Sequence, residues 1–87
     1  MATREEVYAA IDSERAYQDA QKGNSKRHDG QPQMSPGEFI LVLEHLLLQA
    51  RTEWYRPDGG VSCLEHIRKV AGSATQCMEV HGAPPRK

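Results

Sequence analysis

The sequence predicts an all-α protein, a three-helix bundle or a helical hairpin carrying an extra N-terminal helix, and one expected to be oligomeric. Three observations predict it. First, a Ser/Thr-x-x-Glu pair precedes each of three periodic segments: Thr3 with Glu6, Ser35 with Glu38, and Ser62 with Glu65. In such a capping box the hydroxyl accepts from the third amide of the helix while the Glu reaches back to the cap's own amide. Second, apolar residues in each segment recur at spacings of three and four, the period of an α-helix. Third, the glycines and prolines that break helices cluster between and after these segments. The chain has 87 residues, so residues 1–87 are read as one domain.

The first helix is expected over about residues 4–22, with Gly23 as its stop. Val7, Ala10, Ile11 and Tyr17 form its apolar face. Glu14 and Gln18 lie on or beside that stripe, where apolar residues would be expected. A buried carboxylate needs a partner, so Glu14 is expected to pair with Arg68 or Arg15 where the first and third helices meet. Residues 23–35 read as a loop, rich in Gly, Pro, Asn and charge and without a period.

The second helix is expected over about 36–56, capped by Ser35, with Pro36 in its first turn and Pro57-Asp58-Gly59-Gly60 ending it. Ile40, Leu41, Val42, Leu43, Leu46, Leu47 and Leu48 cover more than one face. A surface helix needs an apolar stripe only about 100° wide. The second helix is therefore expected to be central or to pack on another subunit. The row of Phe39, Leu43, Leu46 and Ala50 is assigned to the core. The row of Leu41, Leu48 and Tyr55, which includes Glu44, is assigned to a homo-oligomer interface. Trp54 is also expected in the core.

The third helix is expected over about 63–81, with Gly82 after it and residues 83–87 as a tail. Cys63, Ile67, Val70, Ala74 and Cys77 make its stripe. The run Ala71-Gly72-Ser73-Ala74 is small enough to let a partner helix approach closely.

The bulk numbers exclude several functions. A net charge of -1 gives no electrostatic case for duplex nucleic acid. No apolar run reaches the ~18 residues of a membrane span, and the acidic N-terminus lacks the apolar stretch of a signal peptide. A cytoplasmic protein without membrane partners is expected. Cys63 and Cys77, about 21 Å apart along one helix at 1.5 Å per residue, read as reduced thiols. The four histidines show no HExxH spacing, so no zinc site is expected.

Candidate ligand residues are basic and aromatic. Lys22, Lys26, Arg27, Arg68, Lys69 and Arg15 offer the cations a phosphate requires. Tyr8 and Tyr17 offer rings on which a base could stack. No P-loop or GxGxxG is present. No metal or other cofactor is expected; if a Mg²⁺ is held, Glu14, Glu44 and Glu65 are its candidate ligands.

Two resemblances bear on function. Ile11-Asp12-Ser13-Glu14-Arg15-Ala16-Tyr17-Gln18-Asp19 followed by Gly23 resembles the opening of small uncharacterised tailed-phage proteins, and residues 77–86 resemble the ending of one such group. A more distant similarity is to MazG-like all-α nucleoside triphosphate pyrophosphohydrolases, whose EExxE and ExxD motifs hold Mg²⁺ against a triphosphate. Glu44-His45-Leu46-Leu47-Leu48 matches the first motif with one carboxylate of three, and Glu65-His66-Ile67-Arg68 matches the second with Arg68 in place of Asp. Gln21-Lys22-Gly23 stands where many small phage relatives carry Lys-Trp-Gly. Metal-assisted phosphoryl chemistry needs those carboxylates. The resemblance thus implies a non-catalytic descendant: a phage accessory protein in the host cytoplasm that binds a ligand or host partner, such as a nucleotide immune signal or a host defence protein. Its alternatives are a Mg²⁺-dependent pyrophosphohydrolase and a protein–protein adaptor with no small ligand.

Overall fold

A computed structural model describes residues 1–21 and 34–86, and three α-helices account for most of them. They are α1 (Arg4–Ala20), α2 (Pro36–Trp54) and α3 (Gly59–His81). Among the described residues no helix is long and apolar enough to cross a membrane. The expected loop residues 23–33, including Lys26 and Arg27, and also Lys22 and Lys87, lie outside the described residues.

The first two capping boxes form as expected. Thr3 Oγ1 accepts from the Glu6 amide at 3.1 Å, and Glu6 Oε1 accepts from the Thr3 amide at 3.0 Å. Hydrogen bonding from Thr3, first from its amide and then from its side chain, holds the Glu6 carboxyl below its ordinary value. Ser35 and Glu38 repeat the pattern at 3.2 and 2.9 Å.

The third box does not form. α3 begins one turn earlier than expected, at Gly59, behind Asp58. Ser62 is already helical, and its hydroxyl donates to Glu53 Oε2 of α2 at 2.9 Å. A tertiary partner has replaced the local one. The α2–α3 corner is tight because Gly59 has no side chain. A Cβ there would stand 2.4 Å from the backbone oxygens of both Glu53 and Trp54.

α3 is the shared neighbour, so of the two expectations for the second helix, central or packed on another subunit, the first does not hold. α1 and α2 each pack on α3, and their backbones do not approach one another closely. α2 runs antiparallel to α3: Phe39 near its start meets His81 edge-on at 6.2 Å, and Glu53 near its end meets Ser62. α1 runs parallel to α3. Small residues let α3 take neighbours on two sides, and Gly72 and Ser73 are buried in its middle.

The closed apolar core is small. Phe39 is 1% exposed and Ala50 5%. Leu43 and Leu46, on the same row, are half-buried. Trp54 is exposed, against expectation. It shares a row with Leu47 and Ile40 at seven-residue spacing, and all three are exposed. Of the apolar face expected of α1, Ile11 is half-buried, and Val7, Ala10 and Ile11 line an apolar groove with Leu64, Ile67 and Ala71 of α3. Val7 and Tyr17 are exposed, and the buried residues of α1 are Glu14, Arg15 and Gln18.

Candidate functional site

The closed part of the contact between α1 and α3 is a polar ladder. Arg15 lies in it, buried, and forks onto Glu79: Nε donates to Oε2 at 2.9 Å and Nη2 to Oε1 at 2.8 Å. Nη1 donates to Gln18 Oε1 at 3.0 Å, and Nη2 also donates to Asp19 at 3.0 Å. This fork pushes the Arg15 pKa further up and holds the Glu79 carboxyl below its ordinary value, hydrogen bonding being the largest cause in both. One turn lower, Gln18 Nε2 donates to Glu14 Oε2 at 3.3 Å and to Ser73 Oγ at 3.4 Å. Arg68 Nε then donates to Glu14 Oε1 at 3.0 Å. The expected partner of Glu14 is therefore Arg68. Among the described residues no buried side-chain nitrogen or oxygen lacks a hydrogen-bond partner.

Gly72 sets the depth of this ladder. A Cβ at that position would stand 2.6 Å from Glu14 Cγ and 2.9 Å from Gln18 Nε2. The small run in α3 thus admits a partner helix, as its composition predicts, and the partner is α1.

Two adjoining grooves open beside the ladder. One, of about 350 Å³, is lined by Ser13, Glu14, Tyr17, Glu65, Arg68 and Lys69. The other, of about 430 Å³, lies between α1, α2 and α3, where Gln18, Gln21 and Ser73 face Val42 and Leu46. Glu14, Tyr17 and Lys69 belong to both. Tyr17 is exposed and Lys69 half-buried, so a ring and an ammonium stand at the junction. Arg68 gives its Nε to Glu14, while a guanidinium carries further donors in a fixed fork.

Of the sequence-predicted ligand residues, the structure brings Tyr17, Arg68 and Lys69 together. Arg15 lines neither groove and lies in the ladder, where its guanidinium donates to Glu79, Gln18 and Asp19. Tyr8 is exposed on α1 and lines neither groove. Gln18, Gln21 and Ser73 were not singled out as ligand residues. Their only sequence signal is that Gln18 and Ser73 are polar at positions that helical packing buries.

The candidate metal ligands divide between two places. Glu14 and Glu65 line the first groove, whereas Glu44 lies with Leu47, Leu48 and Arg51 on the outer side of α2. Among the described residues no three His, Cys, Asp or Glu side chains are grouped to hold a metal ion. His66 and Cys63 are each bonded to the turn before them, His66 to the Ser62 carbonyl and Cys63 to that of Gly60.

Comparison with protein-family models, curated proteins and solved structures finds no match to this chain. Any functional reading therefore stands on the grooves and on the residues themselves.

Proposed function

We propose that the chain is a non-enzymatic binding protein whose paired grooves take a phosphate-bearing planar ligand, a nucleotide. The observation that carries this reading is the junction of the two grooves, where Tyr17 and Lys69 line both and Arg68 lines one. An aromatic face stacks on any base and is sequence-tolerant. Lys and Arg bind phosphate, Arg through its fork and Lys as a point charge. The grooves have the size of ordinary small-molecule sites, about 300–1,000 Å³.

In its most specific form the proposed role is to sequester a nucleotide signal. A Mg²⁺-dependent hydrolase would need Glu14, Glu44 and Glu65 around one ion, and Glu44 stands with the other depression. Glu14 is in addition paired with Arg68. An adaptor without a small ligand is favoured by the open apolar face of α2 alone.

A thermal-shift panel of linear and cyclic nucleotides, with and without Mg²⁺, separates these readings. A bound ligand stabilises by RT ln(1 + [L]/Kd), about 2.7 kcal/mol at a hundredfold excess over Kd. The expected result is a metal-independent shift that Lys69→Glu or Tyr17→Ala removes. Pyrophosphate release that requires Mg²⁺ and is lost in Glu65→Gln would establish the hydrolase. No shift with any nucleotide would leave the adaptor.

A further inference from the structure

α2 presents an outward row opposite its contact with α3. Leu41, Glu44, Leu48, Arg51 and Tyr55 follow one another at spacings of three and four, the seam pattern of paired helices. Leu41 is 67% exposed, Leu48 56% and Tyr55 76%. Glu44 and Arg51 have no ion-pair partner among the described residues.

Beside this row runs a second exposed one, Ile40, Leu47 and Trp54, and the two exchange when the helix is reversed. Reversed about the midpoint between Leu47 and Leu48, it sets Glu44 on Arg51, Leu41 on Trp54, and Ile40 on Tyr55. Acid falls on base and apolar on apolar. A two-fold interface requires such self-complementarity, because one patch must serve as both halves of the contact. At that midpoint the surface is dished: Glu44, Leu47, Leu48 and Arg51 line a shallow depression of about 260 Å³. A second Leu47–Leu48 step would enter it.

We infer that α2 pairs antiparallel with α2 of a second copy of this chain, about a two-fold axis between Leu47 and Leu48, with Glu44 of each copy against Arg51 of the other. Parallel pairing would set Glu44 on Glu44 and Arg51 on Arg51, and like charges across an interface are repulsive. The small closed core supplies the driving force, since a chain of this length gains most by burying surface between subunits. Val42 and Leu46, which line the second groove, lie on the other side of α2, so the pairing leaves both grooves open. The inference is independent of the nucleotide reading.

The test is light scattering of the full chain across a dilution series, with helical content checked by circular dichroism. Glu44 and Arg51 are exposed, so exchanging their charges leaves the fold of one copy intact. The unmodified chain is expected to be a dimer. Glu44→Arg and Arg51→Glu should each raise its dissociation constant by about tenfold or more, since each sets two like-charged pairs at the seam. The double exchange should restore the dimer, because it re-creates both pairs with their signs reversed. A monomer at every concentration would overturn the inference. So would a dimer indifferent to the single changes, or one that the double exchange fails to restore.

Discussion

The two faces of α3 are held by different physics. Toward α2 the contact closes on Phe39 and Ala50, with the His81 ring edge-on to Phe39. Toward α1 it closes on Glu14, Arg15 and Gln18. Apolar burial is non-directional and contributes about 25 cal/mol per Å². A polar ladder gains less net energy per group, about 0.5–1.5 kcal/mol per neutral hydrogen bond. It also imposes a register, since a donor left unmatched in a buried place is costly. The α2–α3 hairpin therefore carries the stability. The α1–α3 ladder places α1 at one height along α3, and that height sets Tyr17 beside Lys69 and Arg68.

The largest effect expected is on the apolar side. Phe39→Ala should cost about 3–5 kcal/mol. A chain this size has only about 4–13 kcal/mol in all, at roughly 0.05–0.15 kcal/mol per residue. Thermal melting should show a large drop in the midpoint of unfolding. A loss below about 1 kcal/mol would mean that Phe39 is not the centre of the core.

A smaller and more local effect is expected on the polar side. Arg15→Met keeps an unbranched apolar stem but removes the guanidinium and with it the donors to Glu79, Asp19 and Gln18. Hydrogen bonds to charged groups contribute about 1.5–3 kcal/mol, and the loss should fall in that range. Nucleotide affinity should fall with it, although Arg15 touches neither groove. Unchanged affinity would show that the ladder does not position Tyr17.

The smallest effect is acid sensitivity of the same contact. The fork from Arg15 lowers the Glu79 pKa in the folded chain below its ordinary 4.5. The stabilisation is therefore complete above about 4.5 and is lost as the pH falls through the lowered folded value. Glu79 is half exposed, so solvent screening limits this to under about 1 kcal/mol. In acid melts, Glu79→Gln should remove that part of the decline below 4.5 while lowering stability at neutral pH. An acid limb identical in both proteins would assign the decline to other carboxylates.

Much of the fold was legible because it is written in local chemistry. Thr3–Glu6 and Ser35–Glu38 close within their own first turns, so spacing alone finds them. Ser62–Glu65 has the same spacing and misleads, because Ser62 is claimed by Glu53 across the hairpin. The Gly59-Gly60 pair reads as a breaker but opens α3, and at Gly59 a Cβ could not fit. The row of Leu41, Leu48 and Tyr55 reads from periodicity as outward, and it is exposed. Which helix is central does not read from apolar content. α2 is the more apolar helix, yet α3 is shared because its small residues admit neighbours on two sides. In the site, the Glu14 pairing followed from one carboxylate on an apolar stripe. The role of Arg15 did not, since its partner Glu79 lies 64 positions away and only the packed helices bring them together.

Hydrogen exchange at individual amides tests the division of labour most directly. The exchange of α1, α2 and α3 would be compared between the unmodified chain and Arg15→Met. If the ladder alone holds α1, the variant loses protection throughout α1 while the amides of α2 and α3 keep theirs, as expected when a unit opens on its own. Equal loss of protection in all three helices would show one cooperative core, and would contradict the separation of an apolar hairpin from a polar, positioning contact.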